Sequence, residues 1–382
     1  MTYMGISGKT YQLGEKIQDG GEGTVYHIQR QPDLVAKIYH ATTSPNKMKL
    51  LEKKLRVMVK DSSFEAWQDG TMRFAWPQDV LYDSGKFQGF VMPFAKDTFA
   101  FHEILWDSGR DKFKHYDYNR SIAIAYNLTQ AVDYVHTHGY VIGDMNIKNF
   151  RFSRDCRVIV LDVDSFDITD PDTGEHYKCS VGHPEMLAPE LQGMRLDTER
   201  AKFTKETDYF SLAILIFRIL MNGAHPFNAP KIESADDYDS SSSDNGTMTD
   251  IAKGKCPYVS TDTGRKVPVY APDFAMLPAS LQTLFCRTFR YTEATARKSA
   301  SGRATTLEFA MALYQFYQRD KVTCSADPRH KYLARVGRCP FCEVQAKMNS
   351  VSRASVPRAA ASNGSNRSNP LSLLDQLKLK FL

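Results

Sequence analysis

The 382-residue sequence contains no apolar run approaching the roughly 20 residues that a membrane-spanning helix needs. Its opening stretch, MTYMGISGKT, lacks the apolar centre of a secretion signal. These two absences set the expectation of a cytoplasmic protein with no transmembrane segment. Strong charge of either sign is also missing, the formal net charge being +5. From Glu343 onward six Lys or Arg stand against Glu343 and Asp375, a net of +4, so the preceding residues are almost neutral and the main body is not expected to bind nucleic acid. The 7 cysteines are unevenly spaced, and without a secretion signal they do not read as a disulfide framework. No internal repeat is visible, and the chain is too long for one average core.

What is present is organised in two styles. Residues 11 to 40 hold short β-prone runs, YQLGEKI, TVYHI and LVAKIY, separated by Gly-rich or QPD turns, which predicts an antiparallel meander. KMKLLEKKLRVMVK then carries Met48, Leu51, Leu55 and Met58 at helical spacing, and FAWPQDVLYDSGKFQGFVMPF returns to strands around a DSGK turn. From about Tyr118 helices take over. RSIAIAYNLTQAVDYVHTHG is closed by Gly139, DYFSLAILIFRILMNG is apolar nearly all round, and LQTLFCRTFR and TTLEFAMALYQFYQ follow. ESADDYDSSSSDNGT, residues 233 to 247, reads as an exposed insert, and 347 to 370 as disordered. LSLLDQLKLKFL at the end suits a short amphipathic helix, packed back on the domain or bound to a partner or membrane surface.

Several residues carry chemistry. IQDGGEGTVY places Gly20, Gly21 and Gly23 between two strands, where backbone without Cβ can lie against phosphate oxygens, although such a stretch is more often only a turn. Twelve residues past Val25, LVAKIY sets Lys37 among apolar neighbours, and a buried ammonium requires a partner. Glu52, the sole acid between residues 38 and 60, is the expected partner; a solvated helix face is its other reading. GYVIGDMNIKNF enters apolar and ends polar, with Asp144 and Asn149 five apart, and VIVLDVDSF ends a β-rich run on Asp162. Asp144 can accept or orient a hydroxyl proton, while Asn149 and Asp162 offer the oxygen ligands that Mg²⁺ prefers. Such a set suits phosphoryl transfer.

Taken in order, residues 11 to 316 resemble the protein-kinase fold. QDGGEGTV resembles the glycine-rich phosphate loop, Lys37 the lysine of VAIK, and Glu52 its helix partner. Asp144 falls on the catalytic-loop aspartate, Asn149 on the metal-binding asparagine and Asp162 on the DFG aspartate. GHPEMLAPE resembles the end of an activation segment, KETDYFSLAILIFRIL the buried helix with Asp208 near its start, and Arg303 of SGRATTLEF is the implied partner of Glu190. The resemblance implies ATP with Mg²⁺ or Mn²⁺, Met92 as gatekeeper and Pro93 to Ala95 as the hinge to adenine. Protein substrates follow from the complete activation segment, which also weakens the reading of a small-molecule kinase.

The departures are specific. Gln18 replaces the first loop glycine, HRD has become Ile142-Gly143-Asp144, and DFG has become Asp162-Val163-Asp164. Without the HRD arginine, activation independent of loop phosphorylation is the expectation. The lysine of Ser/Thr kinases is Asn146, while Lys148 stands where tyrosine kinases carry a cation and is expected to reach the γ-phosphate. His183 replaces the segment threonine, yet GHPEMLAPE looks more like the Ser/Thr form, which is the favoured target class. A catalytically silent adaptor, binding protein partners through the kinase scaffold and a C-terminal zinc module, is the alternative to an active enzyme.

CSADPRHKYLARVGRCPFCEV holds a second constellation. Cys339 and Cys342 form a CxxC knuckle, and Cys324 and His330 supply two further ligands of the softness Zn²⁺ takes. Reduced surface thiols or a redox pair are the competing readings. A kinase followed by such a module resembles a bacterial subgroup of eukaryotic-like kinases associated with tellurite-resistance proteins carrying von Willebrand A domains and with PP2C-type phosphatases, which implies partners of those kinds. The expectation is an α+β, bilobal protein-kinase-like fold: lobes at 1–95 and 96–320, a zinc-binding module at 321–346, and a flexible, disordered basic tail at 347–382.

Overall fold

A computed structural model describes residues 1–68, 70–105, 107–113, 115–232 and 245–354. Its β-prone runs pair with their chain neighbours, because short turns close at little entropic cost. β1 (Thr2–Gly5), β2 (Thr10–Asp19), β3 (Gly23–Ile28) and β4 (Leu34–Tyr39) form successive antiparallel ladders. α1 (Pro45–Lys60) and the small hairpin β5 (Trp67–Gln68) and β6 (Thr71–Met72) come before β7 (Asp79–Asp83) and β8 (Lys86–Pro93). β8 pairs with both β4 and β7, and β7 pairs with β1, so the order β1-β2-β3-β4-β8-β7 closes into a barrel. The first strand was not expected, since four residues are too few to show an alternation. It nevertheless joins the barrel, with Met4 opposite Thr10 on one side and Tyr82 on the other.

α1 begins where Ser44 accepts the Lys47 N–H and Pro45 supplies a fixed φ. It buries Leu51, Leu55 and Met58 against β7 and β8, as the spacing predicts. Lys54 is buried on the same helix.

After β8 come β9 (Thr98–Ala100), α2 (Asp107–Arg110) and α3 (Tyr118–Thr137), whose N-cap Asp117 accepts the Arg120 N–H. β10 (Phe150–Ser153) and β11 (Val158–Val160) form a hairpin in the sheet β11-β10-β9, followed by the two-residue pair β12 (Ile168–Thr169) and β13 (His176–Tyr177). α4 (Lys205–Leu220) is buried nearly all round, as its composition requires. α5 (Asn245–Lys253), α6 (Ala279–Phe289), α7 (Ala296–Ser299) and α8 (Thr306–Gln318) complete the helical part, where α3 packs along α4 and α8. β14 (Val322–Thr323), β15 (Lys331–Tyr332) and α9 (Pro340–Ala354) follow.

Two expected boundaries move. The insert expected at 233–247 falls outside the described residues as far as 244, but 245–247 open α5 and bury Thr247. The tail expected to be disordered from 347 is helical to Ala354, because Val344 and Met348 are buried and carry α9 past residue 346. Residues 371–382, expected as an amphipathic helix, lie outside the described residues.

Candidate functional site

Lys37 lies on β4 opposite Val25 of β3, so both side chains stand on one face of the barrel wall. The ammonium is buried and engages two carboxylates: Oδ1 of Asp162 at 2.7 Å, and Oδ1 and Oδ2 of Asp164 at 3.0 and 2.8 Å. Asp164 also accepts the Tyr39 hydroxyl at 2.6 Å, and its backbone carbonyl accepts the Lys54 ammonium at 2.7 Å. The expected partner is not there. Glu52 instead accepts the Tyr82 hydroxyl at 2.7 Å, with Arg56 beside it at 3.6 Å.

Asp162 stands two residues past the end of β11 and adopts a left-handed backbone, φ +53°, which a non-glycine residue rarely holds without compensation. Burial raises its carboxyl to about 6, against the pull of Lys37 and with a push from Asp164. Burial also works against Asp164, but Lys37 outweighs it and holds that carboxyl below its ordinary range. Two carboxylates thus share one close ammonium, and the charge left over on Asp162 is what a divalent cation would neutralise.

Asp144 sits in the loop after α3, where burial raises its carboxyl above the usual range. Asn149 Nδ2 donates to the Asp144 carbonyl at 3.0 Å and to Oδ2 at 3.2 Å, which turns the amide oxygen to the other side. The His183 N–H donates to Asp144 Oδ1 at 3.2 Å, so the 181–190 segment touches the same carboxylate. Asn149 is joined across the β10–β11 hairpin to the residue before Asp162, the Leu161 N–H donating to the Asn149 carbonyl at 2.8 Å. The loop itself hangs on Asp208 of α4. That buried carboxylate accepts the N–H groups of Ile142 and Gly143 at 2.8 and 2.9 Å and contacts His136 Nε2 at 2.9 Å.

Gly143 explains its own identity. Its φ is +73°, and a Cβ there would lie 2.6 Å from Cys179 Sγ and 2.8 Å from Cys179 Cβ. Cys179, buried and tied by its N–H to Asp167 at 3.0 Å, fills the space where the resemblance led one to expect an arginine. His176 meets the other oxygen of Asp167 at 2.7 Å, so this segment is fastened by a carboxylate already in the chain.

The glycines lie at the β2–β3 turn, where Gly20 N–H donates to the Gly23 carbonyl at 2.9 Å. A Cβ on Gly23 would come within 2.5 Å of the Ile38 carbonyl, so this glycine is required by strand packing, while Gly21 faces open space. Met92 and Ala95 pack against the cluster of Met72, Ala75 and Ile159, as does Leu161, the chain neighbour of Asp162. Pro93 ends β8 opposite Leu34, and the Ala95 carbonyl accepts the Thr98 hydroxyl at 2.9 Å. Lys148 is exposed on the turn Ile147–Asn149. Away from these groups, Arg303 meets Glu190 with both guanidinium arms, at 2.8 and 2.6 Å.

Cys324, His330, Cys339 and Cys342 converge, their ligand atoms all within 4.8 Å of one another. Cys324 precedes the turn between β14 and β15, His330 follows it, and the two remaining thiols bracket the start of α9. Cys324 and Cys342 sulfurs are 3.6 Å apart, and His330 Nδ1 lies 3.6 Å from the sulfurs of both Cys339 and Cys342. A tetrahedral zinc with Zn–S bonds of about 2.3 Å sets its sulfurs about 3.8 Å apart, so the donor set fits that ion. His330 Nε2 faces Asp327 at 3.7 Å, the kind of outer partner that orients a ligating imidazole. Sequence reasoning missed the roles of Asp164, Lys54 and Tyr39, which come from separate elements and meet only in the folded chain.

No protein-family model matches the chain. It is 33% identical over 344 residues to Protein kinase YegI of Escherichia coli strain K12, which covers 88% of this chain and 49% of that protein. The protein of the same name in Escherichia coli O157:H7 is 32% identical over the same coverage. The chain therefore spans about half the length of the curated relatives it matches. This similarity supports a kinase-like fold for the chain.

Proposed function

We propose that the chain is an ATP-dependent protein kinase that transfers the γ-phosphoryl group to Ser/Thr hydroxyls of protein substrates, with a structural zinc in its C-terminal module. The observation that carries this reading is the joining of two pairs, Lys37 with Asp162 and Asp144 with Asn149, through one hairpin. Similarity to proteins named as kinases supports it.

The chain's own groups have separate tasks. Lys37 would bind and orient the nucleotide phosphates, under the Gly20–Gly23 turn, with adenine between Val25 and the Met92–Ala95 segment. Asp162 and the Asn149 amide oxygen are hard oxygen donors and fit Mg²⁺. That ion supplies neutralisation of charge on the transferring phosphoryl group. Asp144 would hold the acceptor hydroxyl in line and take its proton, and its link to the His183 N–H keys it to the segment where a peptide would lie. Lys148 would reach the γ-phosphate from the solvent side.

The test is incubation of the purified chain with labelled ATP and Mg²⁺ beside two variants. Asp162→Ala and Asp144→Ala are each expected to reduce phosphate incorporation by a factor on the order of 10² to 10⁴, the second with ATP affinity nearly unchanged. Incorporation that persists in Asp144→Ala removes the assignment, and none in the parent chain favours the silent-adaptor reading.

Activity is further expected without phosphate on the 167–181 segment, because Cys179 occupies the site of the missing arginine and Asp167 already anchors the backbone. A chain with Thr169→Ala, Thr173→Ala, Tyr177→Phe and Ser180→Ala should keep its rate within a few-fold; an inactive but folded product contradicts this.

A further inference from the structure

We infer that Asp164 is the positioning residue for Lys37, and that it does from the metal-loop side what a glutamate on α1 was expected to do. The inference rests on the kinase reading above. Lys37 has three N–H donors, and in this structure they meet one oxygen of Asp162 and both oxygens of Asp164. The two acids differ in burial: the Asp164 side chain is 1% exposed and that of Asp162 36%. The half-buried Asp162 can turn to a cation, whereas the fully buried Asp164 holds Lys37 whether or not a cation is present. Tyr39, two residues beyond Lys37 on β4, donates to Asp164 Oδ2 and fixes its rotamer.

α1 takes part with reversed polarity. Where a carboxylate on the helix was expected to face the lysine, Lys54 reaches the Asp164 carbonyl at 2.7 Å, and Glu52 is engaged by Tyr82 and Arg56. A glutamate beside Lys37 would be redundant with Asp164 there, and a second cation facing Lys37 directly would repel it. Lys54 avoids both by binding backbone. Displacing α1 would therefore disturb the Asp162–Asp164 loop first and Lys37 only through it, so helix position and metal-loop position are one variable in this chain. The glycine that the family carries at the third motif position could not serve, since it brings no carboxylate.

The experiment compares full-length variants by steady-state phosphoryl transfer. Asp164→Asn is expected to lower kcat about 100-fold, the scale on which a misplaced phosphate ligand acts. In a Lys37→Met background the same change is expected to add less than about twofold, because a residue acting through Lys37 has nothing left to lose. Glu52→Gln, outside the site, is expected to stay within about twofold of the parent. A full additional loss in the Lys37→Met background shows a merely structural role and overturns the proposal. A loss in Glu52→Gln equal to that in Asp164→Asn overturns it as well. A second measurement needs no turnover: acylation of Lys37 by an amine-reactive reagent at fixed pH, read by mass spectrometry. Labelling about tenfold faster in Asp164→Asn and unchanged in Glu52→Gln supports the anchor even if the parent transfers no phosphate, and equal labelling in all three chains sinks it.

Discussion

The purified chain is expected to carry one zinc ion, and stripping it with a chelator is expected to unfold the segment from Val322 to Ala354. β14 and β15 are two residues each, and such a pair has no core of its own. Apparent zinc-binding free energies for comparable small modules are about 10–16 kcal/mol, which exceeds anything two short strands and one helix supply. Cys339→Ser and Cys342→Ser are each expected to lower zinc content from one per chain to nearly none and to open the segment to protease. Elemental analysis with limited proteolysis reads both. A zinc-free chain whose module resists protease as well as the parent's would remove the ion from the account.

Arg303→Ala is the second large effect, a loss of about 3–5 kcal/mol in unfolding free energy. The guanidinium is buried, meets both oxygens of Glu190, donates to the Glu206 carbonyl at 2.9 Å and lies over the Phe210 ring at 5.2 Å. Deleting it leaves Glu190 without its counter-charge and opens a hole beside α4. Arg303→Lys should recover only part of the loss, because an ammonium cannot form the two-armed contact. Urea denaturation measures the difference, and a cost below about 1 kcal/mol would show that the pair contributes little.

Much of the architecture could be read from pattern. The helical spacings predicted α1, α3, α4, α6 and α8, and the Cys/His spacing predicted a cluster that the chain indeed forms. The Arg303–Glu190 pair was implied by the resemblance to kinases, and the chain forms it. What could not be read was which side of α1 faces the site. At about 100° per residue, Glu52 and Lys54 flank the Met48–Leu51–Leu55–Met58 stripe symmetrically, each about 80° from its centre. Periodicity is silent between them, and opposite charge favoured Glu52. The partner proved to be 127 residues away in sequence, on Asp164, where no local pattern announces it. Gly143 was legible as a departure, but its cause, the buried Cys179, is another contact between distant segments.

α3 links two features described separately. At its start, the Tyr118 N–H donates to the Arg329 carbonyl at 3.0 Å, Lys331 pairs with Asp117 at 2.7 Å, and the Tyr118 and Phe341 rings lie 5.0 Å apart. At its end, His136 sits against the carboxylate that suspends the Asp144 loop. Twenty residues of helix hold these ends about 30 Å apart. The rod is clamped laterally by α4 and α8 along its length, so a fault at the cysteine end has to unwind more than five turns before it reaches the aspartate. The protein is built to break in compartments: oxidised thiols would fray one extremity and leave the other standing.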